Sequence, residues 1–140
     1  MTLHVAPTQD IDTCLALRET VFIHEQGVSV ADERDGRDGQ AHHLLATLDG
    51  RPVGCARMLL KGETGKIGRV CVLQEARGQG IGARLVHACV RHLATLPGMT
   101  RAELGAQTHA IGFYEALGFA VYGPQYDDAG IPHRDMERAL

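Results

Sequence analysis

The chain has no tryptophan, only 4% aromatic residues, no C-x-x-C pair, and no apolar run approaching the ~20 residues needed to cross a bilayer. Each absence removes a class of function. No membrane partner is expected without such a run. The scarcity of aromatic side chains leaves no stacking platform for nucleobases. A net charge of -3, from 14 basic and 17 acidic residues, also lacks the basic stripe of phosphate-tracking proteins, so no nucleic acid partner is expected. The four cysteines, Cys14, Cys55, Cys71 and Cys89, sit singly in apolar or small-residue runs, where a free thiol behaves as a small hydrophobe. They lack zinc-ligand spacing, and the adjacent His42 and His43 would point to opposite faces of a strand, so no metal is expected. Met1 to Val5 carry no basic region leading into a long apolar core, which makes a reduced, cytoplasmic location the expectation.

What is there reads as one α+β domain spanning residues 1–140, with 44% hydrophobic and 22% charged residues. Leu3 to Val5 form a short strand closed by Pro7, and an apolar stripe from Ile11 through Cys14, Leu17 and Val21 predicts a helix over about 10–24. From Glu25 to Gln40 the pattern breaks, and the charged, glycine-punctuated stretch Ala31 to Gly39 reads as a loop or a short helix on the surface, a solvated connection for most of its residues. His42 to Leu48 and Arg51 to Leu60 form a hairpin around Asp49-Gly50, followed by a strand-like run from Lys66 to Leu73. A helix starts near Gly80, with Ile81, Leu85, Cys89 and Leu93 on one face, and ends before Pro97-Gly98. Arg101 to Gly105 is a further strand. Thr108 is placed to cap a short helix ending at Leu117, with Gly118 in the left-handed closing position. Phe119 to Tyr122 and His133 to Met136 complete a mixed sheet.

The turn Arg77-Gly78-Gln79-Gly80-Ile81-Gly82 joins a strand to a helix that has no Ser, Thr, Asp or Asn in the capping place. Its first N–H groups therefore lack a side-chain partner, and the glycines remove Cβ atoms that would keep an anion away. A phosphate there would satisfy the donors and meet the positive end of the helix dipole. Three ligand classes compete for such a site. Gly62 to Lys66 imitates part of a P-loop, but Ile67 occupies the hydroxyl position and a strand follows. The pattern Gly78-x-Gly80-x-x-Ala83, with Glu103 about 20 residues on, satisfies a loose dinucleotide fingerprint. Residues 74–77 separate that turn from its strand, however, and too little chain follows for the second half of a dinucleotide fold. The third class is coenzyme A.

Arg77-x-x-Gly80-x-Gly82 matches the [RQ]-x-x-G-x-[GA] signature of the GNAT acetyltransferases, and Ala110 to Phe119 resembles their second signature, A-x-x-F-Y-E-x-L-G-F. Val21 to Val28, Asp35-Gly36-x-Asp38 and Gly130-Ile131-Pro132-His133-x-x-Met136 resemble the ElaA-like bacterial branch of that family. The resemblance covers essentially the whole chain. It implies a mixed, mostly antiparallel central sheet splayed between strands four and five and flanked by helices. It further implies that the backbone of Val70, Cys71 and Val72 pairs with the pantetheine arm. Arg77, Gly78, Gln79, Gly80, Ile81, Gly82 and Ala83 would surround the pyrophosphate, and Gln107 stands where many relatives carry an Asn near the coenzyme.

The reaction so implied is direct attack of a small-molecule or peptide amine on the thioester of acetyl-CoA, used as cosubstrate. It needs a neutral amine, a stabilised oxyanion and a proton for the leaving thiolate. A backbone N–H near Val72 is the oxyanion candidate, and Tyr114 the general acid. Lowering a lysine-like amine to neutral form at pH 7 costs about 4 kcal/mol, so a base is wanted. Glu25, His24, Glu103 and His133 are candidates, and Glu25 leads because it lies on the segment that forms the acceptor side in relatives. Arg18 either orients an acidic substrate group or pairs with a neighbouring carboxylate. A non-catalytic acyl-CoA-binding or interaction module is the alternative reading, and a homodimer is compatible with either.

Overall fold

A computed structural model describes residues 2–140. Seven strands form one sheet in the order β1-β2-β3-β4-β5-β7-β6. They are β1 (Leu3–Thr8), β2 (His42–Leu48), β3 (Arg51–Lys61), β4 (Thr64–Val72), β5 (Arg101–Gln107), β6 (Ala120–Asp128) and β7 (Ile131–Ala139). All neighbours are antiparallel except β4 and β5. The helices are α1 (Ile11–Arg18), α2 (Val30–Glu33), α3 (Ile81–Ala94) and α4 (Ile111–Glu115).

Local chemistry explains most boundaries. Asp49 (φ 52°) and Gly50 (φ 82°) both take positive φ, as a two-residue hairpin turn with the right twist requires. Ala129 (φ 54°) and Gly130 (φ 80°) repeat the device between β6 and β7. That second turn was not legible because alanine seldom adopts this conformation, and both final strands run well past their expected ends. Pro7 lies inside β1 and does not close it, which an edge strand tolerates.

The helical stripe from Ile11 does reach Glu25, but beyond Arg18 it widens into a π-helical turn, with Gln26 N–H bonded to the Val21 carbonyl. Thr108 does not cap a helix. It opens a short 3-10 turn, Thr108–Ala110, and α4 then starts without a side-chain cap. Gly118 (φ 92°) closes α4 as expected, with Phe119 N–H bonded to the Tyr114 carbonyl and the Phe119 ring buried.

The core has two parts, one on each face of the sheet. Leu85, Cys89 and Leu93 of α3 are fully buried with Ala46, Met58 and Ile67 of the strands. Cys14, Leu17 and Val21 pack with Cys55 and Cys71 under α1. All four cysteines are free and buried, as small core residues. Among the described residues no helix is long and apolar enough to cross a membrane.

One irregularity positions everything that follows. Between the pairs Cys55↔Cys71 and Arg57↔Gly68, β4 spends one residue more than β3, and Arg69 takes φ 51°. This bulge bends β4. Its parallel pairing with β5 stops at Ile67↔Leu104, although β4 continues to Val72 and β5 to Gln107. The two strands therefore part.

Candidate active site

A cleft of about 1320 Å³ opens where β4 and β5 separate. Val70, Cys71 and Val72 line it along β4, with Arg77, Gly78 and 80–83 beyond them; Gln79 does not line it. Gly78 and Gly80 take φ 80° and 77°, and Gly80 caps α3 with no side-chain bond. The first N–H groups of this 14-residue helix thus lack a side-chain acceptor, as the sequence implied. A pyrophosphate at this cradle would find donors and the helix dipole together.

Tyr114 lines the cleft from α4, its ring edge-on to Phe113 (5.0 Å between centroids) and to Phe119 (6.2 Å). Burial pushes its phenol up to about 12, so it stays protonated and is a proton donor at neutral pH.

Glu25 and Gln26, consecutive at the end of the π-helical turn, tie the two parted strands together. The Glu25 carboxylate takes both terminal nitrogens of Arg77, one of them at 2.8 Å, while Arg77 Nε donates to the Val72 carbonyl at 3.0 Å. Gln107, at the end of β5, donates to Gln26 Oε1 at 2.9 Å, and its own carbonyl oxygen lies 2.7 Å from His109 Nε2. Two residues read separately, one as a base and one as a phosphate ligand, thus form a pair. The Arg77 hydrogen bond holds the Glu25 carboxyl below its usual range.

The other candidates separate cleanly. Arg18 is 1% exposed and bonded to Glu33 at 2.9 Å and Asp38 at 2.6 Å, which settles its choice in favour of pairing. His24 lies out in solvent, 3.6 Å from Glu19. Glu103 pairs with Arg101 at 3.3 Å and does not line the cleft, whereas His133 does. His42 and His43 do face opposite ways, His43 to the Asp38 carbonyl and His42 to His92. No group of three His, Cys, Asp or Glu suited to a metal occurs among the described residues.

Most of Ala31 to Gly39 is exposed, as the sequence suggested, with a short helix at Val30–Glu33, but three of its carboxylates are not free in solvent. Glu33 is buried between Arg18, Arg34 and Arg69, and Asp35 and Asp38 engage Arg57. Arg57 donates to both Asp35 oxygens, at 2.9 and 2.7 Å. Sequence reasoning also missed Tyr126 and Asp135, whose partnership depends on two strands meeting and leaves no local motif.

A family model described as "Acetyltransferase (GNAT) domain" matches residues 9–140. The chain belongs to the GNAT acetyltransferase family. The uncharacterized N-acetyltransferase YjcF of Bacillus subtilis is 36% identical, over 86% of each chain. An acyl-CoA N-acyltransferase from Pseudomonas aeruginosa superposes with a TM-score of 0.88 at 32% identity, covering 99% of this chain and 100% of that one. Escherichia coli ElaA gives 0.86 at 29%, covering 98% and 99%. Likeness to ElaA is therefore shared with other GNAT proteins, and the narrower branch is not distinguished.

Proposed function

We propose that this GNAT protein transfers the acetyl group of acetyl-CoA to a primary amine of a small molecule or peptide by direct attack. The observation that carries the reading is the unpaired end of β4 running into an uncapped, glycine-lined helix start, with Tyr114 on the same cleft. Backbone groups of Val70, Cys71 and Val72, free of β5, suit the pantetheine amides. The turn from Arg77 to Ala83 suits the pyrophosphate, and Gln107 flanks the coenzyme. A backbone N–H near Val72 faces the developing oxyanion.

Tyr114 returns a proton to the thiolate as the C–S bond breaks. Against a thiol of about 8.5, a phenol near 12 makes that transfer uphill by about 5 kcal/mol, so the proton moves only as charge builds on sulfur. Glu25 lies at the acceptor side, and its pairing with Arg77 makes it a link between the two halves of the site.

The test is an amine panel with thiol release as the signal, alongside a thermal melt with acetyl-CoA. Acetyl-CoA raises the melting temperature of wild type and of Tyr114→Phe alike, while the variant loses about 10²-fold in kcat. No thermal shift would remove the coenzyme assignment. Binding with no transfer to any amine would leave an acyl-CoA-binding module.

A further inference from the structure

On β7, His133 and Asp135 project from one face, opposed in register by Gln107 and Gly105 of β5 and by Tyr126 and Tyr122 of β6. Gly105 has no Cβ, and one built there would overlap the Tyr126 hydroxyl. That hydroxyl instead lies over β5 and donates to Asp135 Oδ1 at 2.7 Å. His133 stacks on the Tyr126 ring with centroids 5.8 Å apart and planes 24° from parallel. Its Nδ1 is 2.7 Å from the Ile131 carbonyl oxygen. A carbonyl only accepts, so Nδ1 carries the hydrogen and Nε2 keeps the lone pair in the neutral ring. The residue is 9% exposed and lines the cleft that Val72 and Tyr114 also line.

We infer that His133 Nε2 is the general base that readies the acceptor amine, an assignment that rests on the acetyltransferase reading above. A base must be held in place and keep a free lone pair on the reacting space. The Nδ1 bond to the Ile131 carbonyl and the stack on Tyr126 hold the ring, and the residue lines the cleft that Tyr114 also lines, which leaves Nε2 for the acceptor. The Glu25 carboxylate is paired with Arg77 at the exposed rim and has no other side-chain partner among the described residues to position it once that pair opens, His24 stands in solvent, and Glu103 is off the cleft. Nε2, directly or through one water, takes a proton from the ammonium group. The freed lone pair forms the N–C bond to the acetyl carbonyl, and collapse of the adduct breaks the C–S bond. The thiolate takes the Tyr114 proton, the nitrogen's second proton refills the Tyr114 oxygen, and His133 releases its proton to solvent.

The charged and titratable groups around His133 are Asp135 on its own strand and Tyr122, Tyr126 and Asp128 on β6. His109 follows β5, which itself offers neutral Gln107 in register, and Glu25 and Arg37 line the same cleft. The experiment is kcat/KM against pH for wild type, His133→Gln and His133→Ala. Its acceptor is whichever amine wild type uses best among alkyl monoamines, diamines and lysine-bearing peptides. Both variants should lose about 10²–10⁴-fold, lose the acidic limb, keep the acetyl-CoA thermal shift, and in His133→Ala regain rate with added imidazole. A variant at wild-type rate, or one that keeps the acidic limb, overturns the assignment. So does a wild-type profile with no acidic limb, whatever the variants do. Wild type that binds acetyl-CoA but acetylates no amine overturns the acetyltransferase reading as well, and the two failures are thereby distinguished.

Discussion

Arg18 and Arg77 both meet carboxylates of the segment between α1 and β2 with more than one guanidinium nitrogen, yet one side chain is 1% exposed and the other 41%. Arg18 shares Glu33 and Asp38 with Arg57, Arg69 and Arg34 in a network whose centre, Arg18, Glu33 and Arg57, is buried, while Arg34 and Arg69 reach its partly exposed rim. Arg77 meets Glu25 at the rim of the cleft. Burial decides what each contact is for. Removing one member of a buried set strands a charge in low dielectric and costs about 3–5 kcal/mol, whereas an exposed pair contributes about 0.2–1 kcal/mol. The inner set is therefore a fixed clamp on the segment between α1 and β2. The outer pair is cheap to open.

The largest effect should come from breaking the clamp. Glu33→Ala, or Arg18→Ala, is expected to lower stability by about 3–5 kcal/mol, a fall in melting temperature on the order of 10–20 °C, read by denaturant and thermal unfolding. If either variant melts with wild type, the burial argument fails. A smaller, graded loss should appear on acidification. Asp35 is held well below its usual range chiefly by its Arg57 hydrogen bonds, and Asp38 is lowered too, burial being outweighed by Arg18 and Arg57 together. A depressed carboxylate binds fewer protons folded than unfolded. Stability is then complete above the unfolded value near about 4 and declines as pH falls through the folded values. Unfolding free energy measured from pH 7 down to 2 should be flat at first and fall only below about pH 4. A fall beginning at neutral pH would point to other groups.

How much of this could be read from the chain follows the same divide. The glycine turn, the Asp49-Gly50 hairpin and the Gly118 stop were legible because each is a local steric requirement met by neighbouring residues. The parting of β4 from β5 came only through family resemblance, since the bulge at Arg69 has no sequence signal of its own. The clamp was passed over because Asp35 and Asp38 sit in a surface segment, as expected, and only the fold brings Arg57 to them from β3. Tyr126 and Asp135 were invisible for the same reason, being brought together across two strands and over a bare Gly105. Contacts between distant charges carry no periodicity, so pattern reading passes over them.

Glu25→Gln gives the smallest and most discriminating effect, because it removes the charge of the outer pair while leaving the shape of the strap. The site is exposed, so stability should change by less than about 1 kcal/mol. Arg77 would lose its anionic partner but keep its bond to the Val72 carbonyl, and it would stay pointed at the end of β4. A pyrophosphate arriving at the α3 turn would no longer compete with a carboxylate for the guanidinium. Acetyl-CoA should then bind several-fold tighter by calorimetry, about 1 kcal/mol at most. The gain should shrink with added salt, because it reports an exposed charge. If Glu25→Gln instead binds acetyl-CoA more weakly, the pair is not a competitor of the coenzyme. Its role would then be to hold Arg77 in place for it, and the contrast with the buried clamp would narrow to one of strength alone.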